Sequence, residues 1–236
     1  MKTTIRFGAA VLGALALVGC KETTSSEFIR TGGIAALMSV TAESADSSKV
    51  HVELRVGGAQ SNTFVILDSG DRLTAKAGDV TQDLKAVDEG VYEATFPTGA
   101  QVEFTVGLDR AEDEDAPGSR VTLPASFNIT APQPEDVLSR ADDGVIIVWT
   151  PVADTQGAVT LSGSCITSTS YDVSGSAGTL VVAPGELTSA NEEMPESCTV
   201  DIEISFRREG TADPAFDDES YIVAYQARRA SFVSDP

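Results

Sequence analysis

Lys49-Val50-His51-Val52-Glu53-Leu54-Arg55-Val56 alternates without a break, with Val50, Val52, Leu54 and Val56 on one parity and Lys49, His51, Glu53 and Arg55 on the other. Successive side chains of a strand point to opposite faces, so this period of two specifies a strand with one face buried and one in water. Val102, Phe104, Val106 and Leu108 repeat the pattern, and further short segments of strand character run over 34–42, 63–67, 72–76, 91–96 and 120–129. Clusters of Gly, Asp, Pro and Ser separate them at intervals of about ten residues, and no long stretch keeps a helical period. About seven strands in some 100 residues fit one β-sandwich. The sandwich is predicted over residues 33–132, with Ala131-Pro132-Gln133-Pro134 as the linker that ends it.

A second sandwich is predicted over 133–236, from strand-like segments at 144–150, 158–165, 179–183, 198–206 and 221–232. Two motifs carry resemblances. Asp88-Glu89-Gly90-Val91-Tyr92-Glu93-Ala94 resembles the Asp-x-Gly-x-Tyr-x-Cys corner of immunoglobulin domains, with Ala94 in place of the cysteine. The resemblance implies that the Tyr92 hydroxyl bonds back to upstream backbone, and it implies no inter-sheet disulfide in this half. Gly144-Val145-Ile146-Ile147-Val148-Trp149-Thr150-Pro151 resembles the second strand of fibronectin type III domains, which implies a core Trp149; a carbohydrate platform is the alternative, and the continuous apolar run around it favours the core. The expected fold is all-β, two tandem Ig-like and fibronectin III-like β-sandwiches. The halves show no residue-level repeat, and a shared architecture says nothing of function.

The N-terminus gives an address. Lys2 and Arg6 precede an uncharged run, Phe7 to Val18, that is too short to span a bilayer. A positive segment followed by a short apolar one is a secretory signal. It closes in Leu17-Val18-Gly19-Cys20, which resembles the lipobox of bacterial lipoprotein precursors. The resemblance implies cleavage after Gly19, removal of 1–19 as signal peptide, and acylation of the Cys20 thiol. The lipid bilayer is then a partner through Cys20, since several acyl chains hold a soluble body on a membrane. Lys21, where the family's sorting rule reads Asp as a retention signal, implies the outer membrane. Residues 20–32 are expected to be the lipidated cysteine and a short flexible tether.

Loss of 1–19 leaves 217 residues with 14 basic and 36 acidic side chains, a net charge of −22. Such a surface repels nucleic acid and anionic head groups. With Cys20 given to lipid, Cys165 and Cys198 form an even pair suited to an oxidising compartment. Each shares the parity of apolar neighbours, Val159 and Leu161 for one, Val200, Ile202, Ile204 and Phe206 for the other. They are read as a structural disulfide, because no Cys-x-x-Cys and no nearby histidine marks a redox or metal pair. Its reduction is expected to touch the second sandwich alone, since the first has no cysteine.

Catalytic chemistry finds few residues. The one histidine, His51, lies on the outward parity of a regular strand, and no Gly-x-Ser-x-Gly elbow, phosphate loop or dinucleotide fingerprint accompanies it. One histidine cannot build the usual zinc triads. Two acidic loops, 109–115 and 213–219, suggest calcium, which takes six to eight oxygens, but neither keeps the Asp-x-Asp-x-Asp-Gly spacing. Solvated charge is the reading preferred. The sequence therefore predicts no cofactor, no metal and no enzyme, but an envelope lipoprotein that binds or braces an envelope protein or glycan, with Phe216 and Tyr221 as candidate contacts. A calcium-dependent surface or adhesion module is the alternative, and a small envelope hydrolase the third.

Overall fold

The computed structural model describes residues 21–42, 44–151 and 156–236, so the signal segment and Cys20 lie outside the described residues. From the N-terminus, β1 (Glu22–Ser25) leads through two single 3-10 turns to β2 (Ile34–Ala42) and β3 (Ser48–Val56). Then come β4 (Thr63–Ile66), β5 (Arg72–Ala77), β6 (Val80–Asp83), β7 (Lys85–Asp88), β8 (Val91–Phe96), β9 (Glu103–Asp109) and β10 (Ala116–Thr122). The remainder holds β11 (Asn128–Ala131), β12 (Val137–Ser139), β13 (Val145–Thr150), β14 (Gln156–Ser162), β15 (Thr169–Asp172), β16 (Thr179–Val182), β17 (Cys198–Glu209) and β18 (Tyr221–Asp235). The fold is all-β, as the alternation predicts.

Two cores form, each between two sheet layers. In the first, Val50, Val52 and Leu54 of β3 and Met38 and Val40 of β2 pack against Leu73, Phe104, Val106 and Leu108. The latter come from a smaller sheet ordered β10-β9-β5-β6. Phe96 meets Phe104 edge to face at 5.3 Å. In the second core, Ile202, Ile204 and Phe206 of β17 face Ile147 and Trp149 of β13, in the small sheet β11-β13-β16. Trp149 is buried there, as the fibronectin-like motif implies. Gly157 stands opposite Phe206 across the strand pair, and a Cβ at that position would lie 2.5 Å from the ring. The glycine is what leaves room for the ring.

The large layers of both sandwiches are one sheet, ordered β1-β4-β3-β2-β18-β17-β14-β15. The join is β18, fifteen residues long. Its first part, Tyr221 to Gln226, pairs in parallel with β2, while its length from Val223 to Ser234 pairs antiparallel with β17. Ile222 and Ala224 enter the first core and Phe232 the second. The C-terminal strand thus completes a sandwich whose other strands lie about 100 residues or more upstream.

The immunoglobulin-like corner is present. The Leu67 N–H donates to the Tyr92 hydroxyl at 2.7 Å, and the hydroxyl reaches the Val65 carbonyl at 3.5 Å. Burial raises the Tyr92 pKa, while the bond from Leu67 opposes the rise. Gly90 turns the chain with φ of +68°, and a Cβ there would stand 2.7 Å from Phe64 Cβ.

Three expectations need correction. Segment 120–129 is not one strand: β10 ends at Thr122 in the first sandwich and β11 begins at Asn128 in the second, with Leu123 in the first core and Phe127 in the second. Pro124 lies between them, and a residue without an N–H does not continue a ladder. The crossing therefore lies before the Pro132-Gln133-Pro134 segment. The described part of the tether is not flexible. Residues Glu22–Ser25 pair in parallel with β4, and Ser26 and Thr31 are buried. Arg110 explains this: its guanidinium donates to the Ser26 and Ile29 carbonyls and to Thr31 Oγ1, while its Nε lies 2.8 Å from Asp71. Lastly, Phe216 is no exposed anchor. At 5% exposure it belongs to the first core.

Candidate functional site

The outward parity of β3 forms the floor of a groove. In register across the sheet, Glu93 of β8, His51 of β3, Ser39 of β2 and Val223 of β18 make one row, and Thr95, Lys49, Thr41, Tyr225 and Arg207 make the next. Glu53, Leu37 and Tyr221 form a third. The 57–62 loop rises beside them and is pinned from both sides. Arg55 Nη1 donates to the Ala59 and Ser61 carbonyls at 2.7 and 3.1 Å, and the Ala59 N–H donates to Glu219 at 2.6 Å. The open groove so bordered has a volume of about 370 Å³, lined by His51, Glu53, Arg55, Gln60, Tyr221 and Tyr225 among others. A second cavity on the same sheet face, over Gln156, Asp172 and Arg207, also has Tyr225 in its wall.

Charge within the groove is largely paired. His51 Nδ1 lies 2.9 Å from Glu93 Oε1, which also takes Lys49 Nζ at 3.1 Å. The His51 bond, then Lys49, holds the Glu93 carboxyl below its ordinary range against a desolvation that raises it. Arg55 pairs with Glu53 two residues along the same strand. Tyr221, 48% exposed, is the large aromatic at the mouth. Sequence reading singled out His51 and Tyr221 but missed Glu93, Arg55 and Tyr225. The signal was available, because Tyr225 shares the parity of Tyr221 and Arg55 that of His51.

Ser39, His51 and Glu93 stand in the order of a nucleophile, base and orienting carboxylate. Geometry argues against that use. The His51 to Glu93 bond is made, but no hydrogen bond joins Ser39 to His51. β2 is paired on both sides, by β3 and β18, and β3 by β2 and β8. Backbone N–H groups committed to ladders cannot form the pair of free donors an acyl-transfer oxyanion requires.

The two acidic loops use carboxylates to fix their own turns. Asp113 accepts from the Glu114 and Thr31 N–H groups, which hold its carboxyl below its ordinary range, the Glu114 bond counting most. Asp115 accepts from Arg110 N–H, Asp213 from the Gly118 and Ala215 N–H groups, and Asp217 from Glu219 N–H. Among the described residues, no group of three or more His, Cys, Asp or Glu side chains is arranged to hold a metal ion. Nor is any helix among them long and apolar enough to cross a membrane. Cys165 and Cys198 are joined in a disulfide, Cα atoms 5.6 Å apart. Cys198 opens β17 on its core-facing parity, whereas Cys165 lies three residues past the end of β14.

No protein-family model matches the chain, and no curated protein does. Among solved structures, the chain is similar to fibronectin(III)-like modules of CbhA from Clostridium thermocellum at 9% identity and TM-score 0.25, covering 84% of this chain and 94% of that one. It is similar to a two-domain fibronectin type III segment of chicken tenascin at 11% identity and TM-score 0.25, covering 85% and 99%. A complex of Dpr11 IG1 with DIP-gamma IG+IG2 matches at 7% identity and TM-score 0.25, covering 86% and 99%. At such scores the likenesses carry no argument, and the reading below rests on this chain's own residues.

Proposed function

We propose that the protein is a non-catalytic envelope lipoprotein, anchored through acylated Cys20, that holds a polar envelope ligand in the groove over β3, β2 and β18. The observation that carries the binding reading is the groove itself: a pinned loop, convergent His51, Glu53 and Arg55, and an exposed tyrosine at the mouth. Small-ligand sites are concave, largely pre-formed and oriented by a few placed polar groups, and a volume of about 370 Å³ is at that scale. A stable protein interface needs about 800 Å² from each partner, for which this pocket alone is too small. A glycan segment is therefore favoured over a protein. Its hydroxyls match His51, Glu53 and Arg55, and its apolar ring faces match tyrosine, which offers an apolar body and a polar tip. The lipobox resemblance and the signal segment support the anchoring.

Titration calorimetry of the full chain against polysaccharide fractions from its own envelope tests the groove. Binding weakened tenfold or more by Tyr221→Ala, with unfolding unchanged, is the expected outcome. Glycan binding that Tyr221→Ala and Arg55→Ala leave at wild-type strength would remove the groove from the account.

A further inference from the structure

We infer that the Cys165–Cys198 disulfide is an exchangeable redox site, with Cys198 accepting an incoming thiol and Cys165 leaving as a thiolate held by Arg140. Arg140, 6% exposed, places Nη1 3.2 Å from Cys165 Sγ. Its other side-chain partners are neutral: the Ser234 carbonyl and hydroxyl at 3.3 and 3.1 Å from Nη1, and the Glu196 carbonyl at 2.8 Å from Nη2. No carboxylate lies within ion-pair distance of it among the described residues. A buried cation without a counter-ion is costly, and hydrogen bonds to neutral acceptors offset that only in part. The anion that would complete the site is the one reduction creates. Thiolates are favoured beside arginine, and a leaving group stabilised as thiolate leaves faster.

The two sulfurs are set up differently. Cys165 is buried, while Cys198 is half-buried and directly follows a stretch, 191–197, in which every residue is exposed. Gly163 lies beside Cys198 without a side chain to cover it; a Cβ there would stand 3.1 Å from the sulfur. The Cys165 N–H lies 3.1 Å from Cys198 Sγ. A thiolate of a small dithiol attacks Cys198 Sγ and forms a mixed disulfide. The bond to Cys165 breaks, and its electron pair leaves on Cys165 Sγ beside Arg140. The dithiol's second thiol, losing its proton, then attacks its own mixed-disulfide sulfur and expels Cys198 as thiolate, which takes up that proton. The dithiol is oxidised to a cyclic disulfide and the protein pair is reduced by the same two electrons.

Equilibration of the full chain with reduced and oxidised dithiothreitol, read by thiol alkylation and mass spectrometry, tests the assignment. Arg140→Met should make the disulfide about tenfold harder to reduce, equivalent to about 30 mV for a two-electron couple. Arg140→Lys should restore part of the difference. A bracing role alone predicts the opposite sign, because a loosened fold gives up its bridge more readily. A bridge equally or more easily reduced in Arg140→Met would therefore overturn the inference. Should Arg140→Met fail to fold, brief treatment of wild type with glutathione decides it: the mixed disulfide belongs on Cys198, and its recovery on Cys165 would contradict the assignment.

Discussion

Tyr92 and Glu93 are neighbours on β8 that face opposite ways, one bracing the first core and the other the groove. Replacing Tyr92 by Phe leaves the Leu67 N–H without its partner at a part-buried position. An unsatisfied buried donor costs about 1–3 kcal/mol, so the urea midpoint of Tyr92→Phe should fall accordingly. A midpoint shift equivalent to less than about 0.5 kcal/mol would mean that water takes the place of the hydroxyl. Glu93 contributes through charge. Its pKa is depressed from an ordinary 4.5, first by the His51 bond, so its stabilisation is present above that value and lost as pH falls through the lowered one. Glu93→Gln should cost roughly 0.2–1 kcal/mol at pH 7, as part-exposed ion pairs do, and the difference should vanish in strong acid. Stability titrations of both forms, superimposed across the whole pH range, would contradict this. The tyrosine corner was legible because Gly90 and Tyr92 keep a motif spacing. The Glu93 to His51 bond was not, because it depends on cross-strand register, which alternation within one segment does not fix.

At the scale of elements, long alternating segments were readable and short ones were not. β2, β3 and β8 fall at or within one residue of their predicted ends, each with its apolar parity on the core. β1, β6, β7, β12 and β15 escaped notice. Each is three or four residues long, without fully buried side chains, and is held by pairing rather than by its own pattern. Phe216 was misjudged for a related reason. An acidic loop reads as solvent, yet this one folds its single phenylalanine inward while Asp213 and Asp217 tie down its backbone. Phe216→Ala should therefore cost about 3–5 kcal/mol through the cavity it leaves, whereas Tyr221→Ala should change stability by less than about 0.5 kcal/mol. Denaturant unfolding of the two variants checks this, and equal midpoints would be contrary to the structure.

Taken as a whole, the molecule is two sandwiches joined through β18, and that join was hidden from sequence because parallel pairing between residues 37–42 and 221–226 leaves no local signal. It changes what the disulfide is expected to do. The bridge sits in the second half, but β17, which begins at Cys198, runs on to Glu209 beside the strand that closes the first core. Calorimetry should show one cooperative transition, and reduction should lower it as a unit; two separate transitions would mean that the join carries little energy. Position on the membrane follows the same logic. Lys21, adjacent to Cys20, bonds Asp88 at 2.9 Å, and β1 begins at the next residue. If Cys20 carries lipid, the body and its groove are held close to the bilayer. The proposal that the protein is a lipid-anchored envelope binder therefore turns on Cys20. Growth with an alkyne analogue of palmitate tests it most directly. The account predicts label on the wild-type protein and none on Cys20→Ser, which should accumulate uncleaved or soluble; equal labelling of the two, or an unlabelled wild type released without its lipid, would contradict it.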